Sequence, residues 1–210
     1  MTAKIDLKRE LDAYRAKQGE VRFVDVPPLS YLAIDGQGDP NGPAFAEAVA
    51  ALYPLAYALK MASKRELGRD FTVMPLEGLW SADDWSSFTD ARDKTRWDWT
   101  LLILQPDWVD EAMLEAARER VAAKGAPEGS SAARLADVRL ERLEEGRCVQ
   151  TLHVGAFDDE GPVLARIHDE VLPAHGFRPR GRHHEIYLSD ARRVEPARRR
   201  TILRQPVEPA

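Results

Sequence analysis

The sequence predicts an α+β fold made of two related halves, and three observations lead there. Strand-like runs come in pairs, a run with helical spacing follows the first pair in each half, and parts of the two halves match position by position. In YLAIDGQGDPNGPAFAEAVAALYP and VQTLHVGAFDDEGPVLARIHDEVLP a strand runs into glycine, an acidic turn, a Gly-Pro helix start and a late proline, so that Pro43 matches Pro162. Further on, EGLWSAD around Glu77 lines up with EIYLSDA around Glu185, each glutamate four residues before a serine. Each half reads strand, strand, helix, strand, strand. The expected architecture is one domain over residues 1–210, made of repeats at about 21–106 and 137–207 joined by a helix and linker at 107–136. A pseudo-twofold axis would then give an antiparallel sheet with helices on one face and a ligand cleft between them.

The elements follow in order. Ile5, Leu7, Leu11 and Tyr14 among charges predict a short amphipathic helix in the first twenty residues, ended by Gly19. VRFVDVPP and SYLAIDGQG read as a hairpin-like pair of strands, the first stopped by Pro27 and Pro28. Phe45, Val49, Leu52, Ala56 and Leu59 have helical spacing over 43–67, with Pro43 in the first turn, Gly68 at the C-terminal cap, and Pro54 placed to kink or divide the helix. FTVMPLEGLW and RWDWTLLILQP are strands. Between them, residues 81–96 form a long polar loop whose Trp85 and Phe88 suit a functional lid. A helix over 107–124 closes at Gly125, and KGAPEGSSAA is a flexible linker. The second half supplies VRLERLEEGRCVQTLHVG as two strands across an EEG turn, EGPVLARIHDEVLPAHG as a helix, and RHHEIYLSD and RRTILRQPV as strands.

Composition narrows the function. The 210 residues are 44% apolar and 31% charged, which suits a globular chain with a substantial core. No apolar run reaches the ~18 residues of a membrane span, and the charged start lacks a signal peptide's greasy centre, so the expected location is the cytoplasm. A net charge of −5 disfavours nucleic acid as the main partner. The single cysteine, Cys148, excludes an intramolecular disulfide or a cysteine-rich metal cage. GxSxG, HExxH, GxxxxGK and a strand-to-helix GxGxxG are all missing, so covalent and nucleotide chemistry have no support and no cofactor is expected.

Strand alternation sets the candidate site. His183, Glu185 and Tyr187 share one face, while His184, Ile186 and Leu188 face the core. This separates the two adjacent histidines and argues against a metal site. A glutamate in mid-strand is disfavoured, and if buried it needs a partner or a raised pKa. Glu185 is therefore either a surface carboxylate paired with an arginine or the counter-ion or base of a cleft. Glu77 carries the same alternatives, and before Gly78 it could simply mark a bend or bulge. Met74, Leu76, Gly78 and Trp80 share a face on their strand, as do Trp97 and Trp99 on theirs. Trp80, Trp97, Trp99 and Trp108 are either core or a ligand platform. Tyr53 and Tyr57, four apart on the first long helix, could line the groove or pack on the sheet. Tyr31 and His153 occupy equivalent strands, His153 reading as a satisfied core histidine. Arg192, Arg193, Arg198, Arg199 and Arg200 read as a solvated face.

YLAIDGQGDPN, PLEGLW, RWDWTLLILQPDWV and GRHHEIYLSDARR with its TILRQPV ending together resemble the GyrI-like small-molecule-binding family, over about residues 21–207. The resemblance implies a tandem strand-helix-strand-strand fold and a cleft that receives planar aromatic, often cationic, compounds. In related drug-sensing domains a strand glutamate within an aromatic cage faces the ligand, and Glu185 matches it. No helix-turn-helix accompanies the domain here, which turns the expectation from gene regulation to sequestration or catalysis. Stand-alone relatives look like hydrolases of cyclopropane-bearing, DNA-alkylating natural products.

Three readings follow. The first is a sink for planar aromatic or cationic small molecules, with Tyr31, Tyr53, Tyr57, Glu77, Trp80, Trp97, Trp99, His153, His183, Glu185 and Tyr187 as candidate ligand contacts. The second is a hydrolase in which Glu185 aims water and Tyr187, Trp99 or Glu77 positions substrate, with Glu185 and Tyr187 as candidate catalytic groups. The third is a protein-docking module, which has no need of strand aromatics and a strand glutamate. The ligand and the oligomeric state are not legible.

Overall fold

A computed structural model describes residues 4–82, 94–125 and 127–210. Most of the loop at 81–96, with Trp85 and Phe88, lies outside them. The fold is mixed α and β, and every strand pairing described is antiparallel apart from two isolated bridges. The chain forms two compact units, one of residues 1–10, 29–74 and 82–143, the other of 11–28, 75–81 and 144–210.

In the first unit, strand β2 (Leu29–Gln37) lies between β4 (Trp97–Gln105) and β5 (Arg139–Leu143). Both ladders run nearly the length of β5 or β2, because the apolar runs of β2 and β4 are buried on both faces and so read as continuous rather than alternating. Helix α2 (Pro43–Glu66) packs on this sheet through Ala48, Leu52, Leu55, Ala56 and Leu59, all fully buried. Pro43 stands in its first turn, and Gly68 just beyond its end takes φ +66°, a conformation a Cβ would strain. Pro54 does not divide the helix, which runs unbroken through it. Helix α3 (Glu111–Ala122) begins at Asp110, whose carboxylate accepts from the Met113 N–H, and packs on α2. A short helix α4 (Ala132–Ala136), capped by Ser131, stands where the sequence predicts only linker. Its Leu135 is buried.

In the second unit the strand order is β1 (Arg22–Val26), β6 (Gly146–Val154), β9 (Arg200–Pro209), β8 (His183–Tyr187) and β3 (Glu77–Ala82). The short strand β7 (Phe177–Pro179), not foreseen, pairs with the end of β9. The helix read at 160–176 is three pieces: α5 (Gly161–Ala165), a π turn (Arg166–Val171) and α6 (Leu172–Ala174). Pro173 lacks the N–H that a regular helix would aim at the carbonyl four residues back, and the widened turn immediately precedes it. Ile167 and Leu172 seat this segment on Val149 of β6 and Val207 of β9.

Several expectations are corrected. The first twenty residues hold a single turn, α1 (Leu7–Glu10), and a 3-10 turn (Asp12–Tyr14) in place of one amphipathic helix; Tyr14 is buried for a polar reason given below. β1 and β2 are not a hairpin, since β1 pairs β6 while β2 pairs β4 and β5. Nor are β5 and β6 paired across the EEG turn. β3 starts at Glu77, so Met74 and Leu76 precede the strand and share no strand face with Trp80.

One close contact locks the first unit. Gly36 pairs with Trp99 across β2 and β4, and a Cβ on Gly36 would fall 2.0 Å from the buried indole ring. The ring is edge-on to Phe45 of α2 at 5.2 Å and donates its N–H to the Gly38 carbonyl at 3.2 Å. Gly36→Ala should therefore cost about 2–3 kcal/mol by forcing the indole from its place, measurable as a lowered denaturant midpoint at unchanged slope.

Candidate functional site

The strand β8 carries two chemistries on its two faces. Cross-strand pairing puts Gly78 opposite Glu185 and Trp80 opposite His183 on β3, with Leu203 and Thr201 opposite Glu185 and Tyr187 on β9. The other face takes Glu77, Leu79, His184, Ile186 and Arg204.

On the first face, the Tyr187 hydroxyl donates to Glu185 Oε2 at 2.8 Å and accepts from the Trp80 indole N–H at 3.1 Å. Gly78 makes this possible: a Cβ there would meet Trp80 Nε1 at 2.9 Å and the Tyr187 oxygen at 3.0 Å. Phe157 lies edge-on to Tyr187 at 5.5 Å, with the Arg199 guanidinium 5.3 Å above its ring. The Glu185 side chain keeps only 14% of its surface exposed. Its other oxygen, Oε1, stands 3.7 Å from His183 Nε2, too far for a hydrogen bond. Neither His183 ring nitrogen has a hydrogen bond of ordinary geometry among the described residues.

Burial governs the electrostatics of this face. It pushes Glu185 up to about 7, against the opposing pull of the Tyr187 hydrogen bond and the charge of His184. It holds His183 neutral, down at about 3, helped by His168 and His184. Burial and the neighbouring Glu185 raise Tyr187 well above its ordinary range, so it stays a hydrogen-bond donor. The result is a carboxyl poised near neutrality between a neutral imidazole and a phenol.

The opposite face holds a buried ion network. His184 lies between two carboxylates, its Nε2 2.9 Å from Glu77 and its Nδ1 2.9 Å from Glu145, a geometry that asks for both nitrogens protonated. Glu145 also accepts from Arg204 at 2.7 Å, and Glu77 from the Tyr14 hydroxyl in a short bond. Arg204 completes its donors with Gln150 Oε1 at 3.0 Å and the Ala13 carbonyl at 2.5 Å. Burial alone would lower His184, yet Glu145 and Glu77 outweigh it and raise it to about 8. Burial alone would raise Glu145, and His184 with Arg204 overcome that to hold it at about 2. Two positive and two negative groups close the network at neutrality.

The predicted contacts thus separate. Trp80, His183, Glu185 and Tyr187 come together in the second unit, and the β6–β9–β8 register puts His153 on their face, two strands from Tyr187. His153 is buried, its Nε2 3.0 Å from the Ala156 carbonyl, as a satisfied core histidine would be. Glu77, matched to Glu185 in the repeat, points to the opposite face and commits both oxygens to the ion network. Tyr31, Tyr53, Tyr57, Trp97 and Trp99 belong to the first unit. There Tyr31 and Trp99 are buried on opposite faces of the β2–β4 ladder, Trp97 is half-buried, and Tyr57 is 55% exposed with its ring 6.4 Å from Tyr53. Sequence reasoning missed Tyr14, Glu145, Arg204 and Phe157. An arginine in mid-strand was the visible signal for Arg204; a turn glutamate such as Glu145 offers none. Cys148 is buried and its thiol pushed up to about 12 by that burial. Among the described residues no cluster of three or more His, Cys, Asp and Glu could hold a metal, and no helix is long and apolar enough to cross a membrane.

An aromatic-walled carboxyl on an antiparallel sheet is a candidate small-molecule site. The model of the GyrI-like small molecule binding domain matches residues 19–207, and the chain belongs to that family. Among solved structures, an uncharacterized conserved protein from Listeria innocua is 38% identical with a TM-score of 0.86, covering 98% of this chain and 100% of its own. Two structures described as hydrolases from Listeria innocua are 36% and 37% identical, with TM-scores of 0.83 and 0.85 and the same coverage. No curated protein matches the chain.

The two faces should separate by their effect on stability against pH. His184 is raised above its unfolded value near 6.5, so its stabilisation is complete below pH 6.5 and is lost as pH rises through about 8. Subtracting the unfolding free energies of His184→Gln from wild type should give a difference that shrinks between pH 6.5 and 8.5, from about 3 kcal/mol at its largest. Glu185 also loses stability as pH rises, over a lower window and through the cost of its own buried charge. Its raised carboxyl adds no cost below pH 4.5, where both states are protonated, and its full cost above 7, so Glu185→Gln should gain on the order of 1–2 kcal/mol at pH 8 and nothing at pH 4.

Proposed function

We propose that the chain is a small-molecule hydrolase whose general base is Glu185, acting on planar aromatic substrates that carry a strained, activated ring such as a cyclopropane. One observation carries this reading: a buried strand carboxyl, raised towards neutrality, that has one oxygen fixed by Tyr187 and the other facing a neutral His183 across 3.7 Å. A water held on Glu185 Oε1, the oxygen that Tyr187 leaves free, could pass its proton to the carboxylate. The water oxygen then bonds to a ring carbon as the carbon–carbon bond of the ring breaks, the released electron pair moves into the substrate's conjugated acceptor, and that acceptor takes up the proton from Glu185, which returns to the carboxylate. The product is heavier by one water. Trp80, Tyr187 and Phe157 offer flat surfaces for the substrate's aromatic body, and an aromatic wall that excludes water strengthens the carboxylate as a base. The description of two relatives at 36% and 37% identity as hydrolases agrees with this reading.

A second reading, sequestration of aromatic cations, has its own support. Among the described residues no lysine or arginine pairs with Glu185, so a bound cation would supply the missing countercharge. The two readings part in one assay, in which a cyclopropane-bearing alkylator is incubated with the protein and product mass is followed. Turnover should give a product heavier by one water, with kcat/KM rising with pH to a plateau above about 7 as Glu185 ionises. Glu185→Gln should lower kcat on the order of 10²–10⁴-fold while the dissociation constant for the substrate changes little. Saturable binding of flat cations with no product, lost in the same variant, would move the assignment to sequestration.

A further inference from the structure

A second feature lies apart from Glu185, on the first unit alone. Helices α2 and α3 leave a groove of about 570 Å3 along their contact, within the range of small-molecule sites. Its floor is Pro54 and Val121, and its wall carries Tyr57 and Met61, 55% and 39% exposed. These are two of the four large apolar side chains left exposed among the described residues, and they lie one helical turn apart on the same stripe of α2. Arg65, a further turn along, and Lys124, just beyond the end of α3, line the same groove, as do Arg120 and the carboxylate of Glu128. Neither Arg65 nor Lys124 has an ion-pair partner among the described residues, whereas their neighbour Arg120 is committed to Glu66 at 2.6 Å. With Arg120 paired to Glu66, Arg65 and Lys124 outnumber the single lining carboxylate, Glu128, so the groove beside the exposed apolar stripe keeps a net positive charge in a chain of net charge −5.

We infer that the α2–α3 groove is a second ligand site, for an anionic amphiphile: a molecule with one carboxylate or sulfonate and an aliphatic or aromatic body. The body lies along Tyr57, Met61 and Val121, where it covers apolar surface that water now meets, and the headgroup sits between Arg65 and Lys124. The single turn between Met61 and Arg65, about 5–6 Å, sets body and headgroup at the spacing of a chain acid whose carboxylate leaves the apolar surface at one end. Pro54 adds to the recess, since a proline in mid-helix presents a ring and no N–H. The chemistry is opposite to that of the Glu185 face, which presents a carboxyl and would repel an anion at neutral pH. A compound selected by one site is therefore excluded by the other.

The probe is 11-(dansylamino)undecanoate, followed by its fluorescence on titration with the full chain. One equivalent should bind saturably, and its methyl ester, which lacks the charge, should bind about tenfold more weakly. Arg65→Glu with Lys124→Glu, both exposed and outside the core, should weaken the acid at least tenfold and leave the ester unchanged. Met61→Glu, which places a carboxylate on the apolar stripe, should weaken both. Glu185→Gln should leave all of these constants as they were, so failure of the hydrolase reading would not disturb this result. An unchanged affinity for the acid in the double variant, or an affinity altered by Glu185→Gln alone, overturns the proposal.

Discussion

The second unit depends on the ion quartet of Glu77, His184, Glu145 and Arg204. Burying four charges is costly, and the cost is offset only because each has its partners: His184 is shared between two carboxylates, and Arg204 between a carboxylate, an amide and a main-chain carbonyl. The quartet and its partners reach widely across the sequence of this unit. They join the segment at Ala13 and Tyr14, the start of β3, the turn before β6, and the strands β8 and β9. A buried apolar face already resists a one-residue slip, which would turn its side chains outward. A histidine that must meet two carboxylates at 2.9 Å adds to that constraint, so β3 and β8 are held in the one pairing that sets Gly78 against Glu185.

That register is what the candidate site requires. With Gly78 facing Glu185, the phenol of Tyr187 and the indole of Trp80 can meet over a residue that has no side chain, and Tyr187 is then aimed at one oxygen of the carboxyl. A one-residue slip would put Glu77 or Leu79 there and turn the network out of place. The two faces of β8 also divide the electrostatic work. Charge on the quartet's face is fully compensated and rigid, while Glu185 is left undercompensated, which costs stability and keeps its proton labile near neutrality.

Much of this was legible in the sequence because period-two alternation alone fixes which residues share a face. HHEIY could only place His183, Glu185 and Tyr187 together, and a mid-strand glutamate invited the question of its partner. Helix α2 was legible from its spacing and its Gly-Pro start, and the glycine after it from the break in pattern. Pairing partners were not. The two adjacent strand runs at 22–37 suggested a hairpin, but Pro27 and Pro28 end the first strand without a turn that could reverse the chain, and each run pairs with strands more distant in sequence. Glu145 was invisible for a related reason: in EEG it reads as a turn residue, and its burial exists only because His184 and Arg204 arrive beside it. The alignment of Glu77 with Glu185 held as a sequence observation and misled on geometry, since their strands pair antiparallel with an offset of one residue that sends them to opposite faces.

The contrast between those two glutamates shows two ways of burying a carboxyl in a strand. Both occupy a mid-strand position that disfavours charge, and each has been made tolerable by a different solution. Glu77 is neutralised by a histidine cation and a tyrosine, which makes it structural and leaves it nothing to give a ligand. Glu185 keeps a tyrosine but faces an imidazole that burial prevents from charging, so its remaining oxygen stays available. The single difference is the protonation of the partner histidine: His184, between two carboxylates, is held charged, and His183, with one carboxyl beyond hydrogen-bond reach, is not. Adjacent histidines on one strand thus commit one carboxylate to the fold and leave the other with a free oxygen.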